Sequence, residues 1–177
     1  MENIFAQPGK PMPHGATIVN DGVNFSVFTR NGTSVILDIF QNPEDENPCF
    51  SYTFDPKINR TGDIWHVFLK GLKAGALYLY RVDGPFNPEK GHRFNKNTYL
   101  LDPYAKSFTD CSVFANLPPD YVTPVDKIDI LTVKPHSAKG FPKCVVIDDD
   151  EFDWQGDRPI NYPLRQSVLY ETHLKGF

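Results

Sequence analysis

Apolar and polar residues alternate along much of the first hundred positions. In the stretch VNFSVF, Val23, Phe25 and Val27 share one face while Asn24 and Ser26 share the other, the period of two that a strand requires. An Asn31-Gly32 turn signal comes next, followed by VILDIF, in which Val35, Leu37 and Ile39 alternate with Ile36, Asp38 and Phe40. Two such runs around a turn predict antiparallel strands. The pattern recurs in IWHVFL, with Trp65, Val67 and Leu69 on one face, and past Gly71 and Gly75 in ALYLYRV. CFSYTF, Cys49 to Phe54, is a shorter candidate. No apolar pattern of helical period survives three turns, because prolines and glycines cut the chain into short pieces. The prediction is all-β: an immunoglobulin-like antiparallel β-sandwich over about residues 15 to 110.

Beyond that stretch the pattern changes. Asn116 to Phe141 holds Pro118, Pro119, Pro124 and Pro135 with little periodicity and reads as a surface loop or linker. Lys143 to Ile147 is a candidate for one more strand, and the acidic run Asp148 to Glu151 follows it. Near the end, Val168, Leu169 and Tyr170 form an apolar run of the kind found in a buried strand.

Composition narrows the classes of partner. The chain has 177 residues, 40% of them hydrophobic and 14% aromatic, which suits a packed globule. Net charge is −4 with no basic block, so nucleic acid and anionic membranes are poor partners and a neutral or polar ligand fits better. The N-terminus lacks the apolar core of a signal peptide, and no stretch approaches a membrane-spanning length. Cys49, Cys111 and Cys144 are odd in number and far apart, as thiols in a reducing compartment would be. A cytoplasmic protein is expected.

Candidate chemistry is sparse. Asp148, Asp149, Asp150, Glu151 and Asp153 form the densest acidic cluster, but their spacing is not that of a calcium loop, and a solvated turn is the expectation. Glu171 and His173 share a strand face without a third group to make a site. His14, His66, His92 and His136 fall in separate segments and form no ligand set. No metal site and no organic cofactor are expected.

Several pieces, in order, carry a resemblance. They are GKPMPHGAT (Gly9 to Thr17) with VNFSVF after it, WHVFLKGLKAGALYLYRVDGP (Trp65 to Pro85), GHRFN (Gly91 to Asn95) and LLDPYAKSF (Leu100 to Phe108). FDW (Phe152 to Trp154) and YETHLKGF (Tyr170 to Phe177) close the series. Together they resemble the N-terminal region of isoamylase-type glycogen-debranching enzymes, in glycoside hydrolase family 13. The resemblance implies a sandwich of the family-48 carbohydrate-binding type over residues 1–115 and a loop and linker over 116–166. Residues 167–177 are then similar to the first strand of an incomplete (β/α)8 barrel. Departures occur at Pro163-Leu164, where the family carries Pro-Trp, and at His136 and Ser137, where it tends to be acidic.

The resemblance places the family's catalytic carboxylates on later barrel strands, so none is expected among these residues, and the chain alone is expected to be inactive. The expected role is the accessory portion of an α-1,6-glucan debranching hydrolase, with α-glucan (glycogen or limit dextrin) as partner through the parent enzyme. Alternatives are a stand-alone glycogen-binding or regulatory module, or a fragment of a branching or trehalose-releasing enzyme. Sugar-binding surfaces stack flat rings on a pyranose, which makes Trp65, Tyr78 and Tyr80, with His66 as a hydroxyl partner, the candidate glucan contacts. Aromatics on strands more often pack in a core. Asp102 before Pro103 is a turn initiator, and with Arg93 it is expected to fix the sandwich against the next part of the chain. The last strand, left without partners, is expected to self-associate or to stay mobile.

Overall fold

A computed structural model describes residues 4–109 and 137–176. Most of the loop expected from Asn116 to Phe141, together with Cys111, lies outside the described residues. In chain order the strands are β1 (Phe5–Pro8), β2 (Gly15–Val19), β3 (Gly22–Phe28), β4 (Ser34–Phe40), β5 (Phe50–Thr53) and β6 (Arg60–Thr61). They continue with β7 (Ile64–Lys70), β8 (Leu77–Asp83), β9 (Phe86–Asn87), β10 (His92–Arg93) and β11 (Cys144–Val145). Among the described residues helical structure is limited to short 3-10 turns.

The strands form two main antiparallel sheets. One has the order β1-β7-β3-β2, with β6 also on β7; the other has the order β11-β8-β4-β5. Strands β9 and β10 form a separate two-stranded ribbon. The alternation seen in the sequence sets the core: Val23, Phe25, Trp65, Val67 and Leu69 of the first sheet meet Val35, Leu37, Tyr78 and Tyr80 of the second, all buried. Phe25 meets Tyr78 edge to face across the sheets, with ring centroids 5.0 Å apart. The expected sandwich is present.

The two runs flanking Asn31-Gly32 do not pair with each other. Strand β3 lies between β7 and β2, whereas β4 lies between β8 and β5 in the other sheet. The chain leaves the first sheet where Thr29 N–H donates to Asp63 O (2.9 Å) and enters the second where Thr33 N–H donates to Asp83 O (2.8 Å). Both are interior strands, β3 held by β2 and β7 and β4 by β5 and β8, so the turn bridges layers. The hairpin forms instead at Asn20-Asp21, where Val19 faces Gly22 and Asn20 adopts a positive φ of 52°.

Both sheets are also covered on their outer faces. Asn24 and Ser26, the polar face of β3, are buried because the Gly9 to His14 segment lies across them. Lys10 N–H donates to Asn24 Oδ1 (2.7 Å) and Asn24 Nδ2 donates to Lys10 O (3.0 Å), while Ser26 Oγ donates to Pro11 O (2.7 Å). Gly9 permits this approach: a Cβ there would lie 2.6 Å from the carbonyl carbon of Val67. On the second sheet, Asp38 is fully buried and paired with Arg81, whose Nε and Nη2 donate at 2.5 and 3.0 Å. Ser51 Oγ completes the set at 2.5 Å, and Tyr99 covers it, stacking on the Arg81 guanidinium and against Phe40.

The candidate strand at Lys143–Ile147 is present as β11 (Cys144–Val145), and two further observations bear on the chain beyond residue 115. Ala138, Phe141, Cys144 and Val146, inside the segment read as linker, are buried in the core, with β11 paired to β8. The segment 167–177 forms no strand among its described residues. Val168, Leu169 and Tyr170 are 95%, 84% and 80% exposed. A strand exists only when a neighbour takes up its N–H and C=O groups, and among the described residues no strand pairs with this segment.

Candidate functional site

All four candidate glucan contacts are buried. Trp65 is fully enclosed, its Nε1 donating to Thr29 O (3.3 Å), with Phe54 packed against it and the Arg60 guanidinium 5.0 Å above its ring. His66 sits on the opposite face of β7 but beneath the N-terminal segment; its Nε2 is 2.9 Å from Thr61 Oγ1, and burial lowers its pKa. Tyr78 and Tyr80 lie between the sheets, in an edge-to-face pair at 5.9 Å. None of these rings presents a face to solvent, in keeping with the core packing expected of aromatics on strands. Strand alternation shows which residues share a face but not whether a distant segment covers it.

What the sandwich assembles at this end is a buried polar latch. Tyr78 OH donates to Asp102 Oδ2 (2.8 Å), and the Tyr104 backbone N–H donates to Asp102 Oδ1 (2.8 Å), closing the turn expected before Pro103. The Asp102 N–H points to Cys144 Sγ at 3.2 Å. Burial pushes the Asp102 carboxyl above its ordinary value, against the pull of those two hydrogen bonds. Burial likewise drives the Tyr78 hydroxyl far up, aided by the Asp102 charge, and the Cys144 thiol to about 12. Each of these groups is taken up by a structural hydrogen bond.

The latch joins two of the sequence motifs. Tyr104 of LLDPYA rests on His14 of GKPMPHGAT, with ring centroids 4.8 Å apart, and its Cβ would be 3.0 Å from a Cβ at Gly15, where φ is +87°. In GHRFN, Phe94 packs where a Cβ on Gly84 would intrude at 2.6 Å, and Asn95 Oδ1 accepts from Asn97 N–H (2.9 Å). Arg93 is exposed. These motifs therefore close the sandwich. The acidic run forms a 3-10 turn over Asp149–Glu151, capped by Asp148, which accepts from Asp150 N–H (3.0 Å). Lys106 pairs with Asp149 at its side. No group of three or more metal-ligating side chains converges among the described residues, and none of their helices is long and apolar enough to cross a membrane.

Residues 13–105 match the family described as carbohydrate-binding module 48, the isoamylase N-terminal domain. The chain belongs to this family. It is 38% identical over 183 aligned positions to the chloroplastic isoamylase 1 of Arabidopsis thaliana, covering 99% of this chain and 21% of that protein. It is 38% identical over 174 positions to the glycogen debranching enzyme of Yersinia enterocolitica, covering 95% of this chain and 23% of that one. The family-48 chain thus spans about a fifth of the length of these relatives and corresponds to an accessory portion of them. Among solved structures it resembles a product complex of the multi-modular, glycogen-degrading pneumococcal virulence factor SpuA, with a TM-score of 0.53 and 16% identity. That alignment covers 84% of this chain and 13% of the other, a likeness of fold.

Exposed rings lie elsewhere: on the sandwich Phe5, Phe28, Phe86, Tyr104 and Phe108 are each more than a third exposed, and beyond it Phe152, Trp154, Tyr162 and Tyr170 are more than 60% exposed. Phe5 lies in β1, which the pattern reading did not predict. Four residues ending in proline carry no measurable alternation, and every position of β1 is exposed.

Proposed function

We propose that this chain is the accessory sandwich of an α-1,6-glucan debranching glycoside hydrolase, and that it positions the enzyme and its substrate without performing the chemistry. The observation that carries the reading is the 38% identity, nearly end to end, with an isoamylase and a glycogen debranching enzyme. The geometry agrees with a non-catalytic role. Retaining glycoside hydrolysis uses two carboxyl groups about 5 Å apart facing a common substrate. The two buried carboxylates among the described residues, Asp38 and Asp102, are each occupied by structural partners. In the parent enzyme, residues 167–177 serve as the first strand of the catalytic barrel, whose neighbours would supply the pairing this segment lacks here. Three cysteines, odd in number and far apart along the sequence, fit a reducing compartment, and we infer a cytoplasmic protein.

A chimera tests the reading. The matched portion of the Yersinia enterocolitica debranching enzyme is replaced by this chain, and new reducing ends are measured on glycogen limit dextrin. An active chimera, with no release by the 177-residue chain alone above a boiled control, is the expected result. A folded but inactive chimera, or activity in the chain alone, would overturn it.

A further inference from the structure

The Asn31-Gly32 step sits in the crossover that carries β3 of one sheet into β4 of the other. The Asn31 side chain is exposed and has no hydrogen-bond partner among the described residues. Gly32, by contrast, is buried. Its N–H donates to Thr29 Oγ1 (3.2 Å), and a Cβ on it would lie 2.8 Å from that oxygen and 3.1 Å from Val82 Cγ1. Asparagine before glycine is chemically labile. The next amide nitrogen can reach the side-chain carbonyl carbon, and glycine has no Cβ to obstruct it.

We propose that Asn31 is a site of spontaneous deamidation, gated by the Thr29 hydroxyl that holds the attacking Gly32 amide. In the open turn, Gly32 N gives up its proton to solvent base and bonds to Asn31 Cγ. The Cγ–Nδ2 bond breaks, and ammonia leaves with a proton taken from water. The cyclic imide so formed takes up one water. Opening at Cγ gives aspartate; opening at the backbone carbonyl gives isoaspartate, with the chain running through the side chain. Water is the only co-reactant, and nothing is oxidised or reduced. Asp21-Gly22 and Asp83-Gly84 have the same spacing but carry carboxylates, whose charge resists attack. Asp83 Oδ1 is moreover already bonded by Gly84 N–H (3.0 Å).

The closed turn resists this reaction because its backbone is pinned on both sides of the reacting atoms. Thr29 N–H is tied to Asp63 O (2.9 Å) and Thr33 N–H to Asp83 O (2.8 Å). Arg60 Nη2 donates to Arg30 O (3.3 Å), and the Asn31 carbonyl oxygen packs on Gly84, 2.9 Å from where a Cβ there would lie. Conversion therefore draws on the fraction of molecules in which the crossover has opened locally. The product changes the fold that made it. Isoaspartate lengthens the crossover by one methylene between its two anchors, so a converted chain cannot restore both at their present spacing. Either product also adds one negative charge to a chain whose net charge is −4.

The test follows the 177-residue chain in mildly alkaline buffer, folded and in urea, by ion exchange and by mass spectrometry of the peptide that holds residue 31. Slow conversion of the folded chain and much faster conversion in urea are expected. Thr29→Val keeps the shape but removes the hydroxyl. It is expected to raise the folded-state rate roughly fivefold, as release of one hydrogen bond implies. Thr29→Ser retains the acceptor and is expected to match the parent chain. Asn31→Gln, whose longer side chain must close a larger ring, is expected to stay unconverted. Thermal melts of the Thr29 variants separate loss of the gate from loss of the fold, and the urea comparison decides without any variant. No conversion in urea, equal rates with and without it, or a folded Thr29→Val chain no faster than the parent would each overturn the proposal. So would a Thr29→Ser chain as fast as Thr29→Val, or charge variants that persist in Asn31→Gln at the parent's rate.

Discussion

Asp102 shows how one side chain can serve closure at an energetic cost. Its carboxyl is 1% exposed, and desolvation raises its pKa more than Tyr104 N–H and Tyr78 OH lower it. The folded chain therefore holds this proton more tightly than the unfolded chain does. The stability contributed by the group is full below the ordinary carboxylate value, about 3.9, and is lost as pH rises through the raised folded value. Asp102→Asn removes that dependence while keeping an acceptor for Tyr78 or Tyr104. Denaturant titrations at about pH 4 and about pH 7 should show the variant gaining on the parent chain as pH rises. A stability difference that does not move with pH would refute the assignment. The turn role of Asp102 was legible in the sequence, because Asp before Pro has its own turn chemistry. The burial of Tyr78 and Tyr80 was not, because both faces of LYLYRV are largely apolar. Leu77 and Leu79 are buried as well, on the outer face, and nothing local distinguishes the two.

At the scale of elements, strand positions were readable and strand partners were not. Period-two runs locate β3, β4, β5, β7 and β8 nearly to the residue, since side-chain alternation is a local property. Pairing depends on which distant edge is open, and β3 finds β7 some forty positions away while β4, which follows it, joins the other sheet. The short strands β1, β6, β9 and β10 lack the length to show a period. Strand β11 persists at two residues because Lys143, just before it, is anchored. The buried ammonium donates to Pro43 O (2.5 Å), Ala138 O (2.9 Å) and Phe141 O (3.4 Å) and lies over the Phe40 ring. Lys143→Met keeps the length but removes the ammonium from all three carbonyls, a loss of about 1–3 kcal/mol. Hydrogen exchange should quicken at the Ala138 amide, which bonds Glu46 O at 2.9 Å, before it quickens in the β4–β8 ladder. Uniform protection in the variant would show that β11 is held by its ladder alone.

For the molecule as a whole, the contrast lies between a sandwich covered on both outer faces and a C-terminal stretch that covers nothing. Trp154, Ile160, Leu164, Val168, Leu169 and Tyr170 are all more than 60% exposed, and apolar area left in water contributes nothing to folding. Their hydrogen bonds are local: Ser167 N–H to Leu164 O (3.0 Å), Gly176 N–H to His173 O (2.9 Å). The core closes at Val146, which is fully buried. Removing residues 167–177 should therefore leave the thermal midpoint within about 3 °C, equivalent to about 1 kcal/mol for a chain of this size. The same removal should lower self-association, because a contiguous apolar stretch with unpaired backbone recruits other chains. Calorimetry and sedimentation velocity on the 177-residue and shortened chains measure the two effects separately. A midpoint that falls well beyond that margin would mean the tail packs on the sandwich in solution. Unchanged sedimentation would mean that the exposed apolar run recruits no second copy.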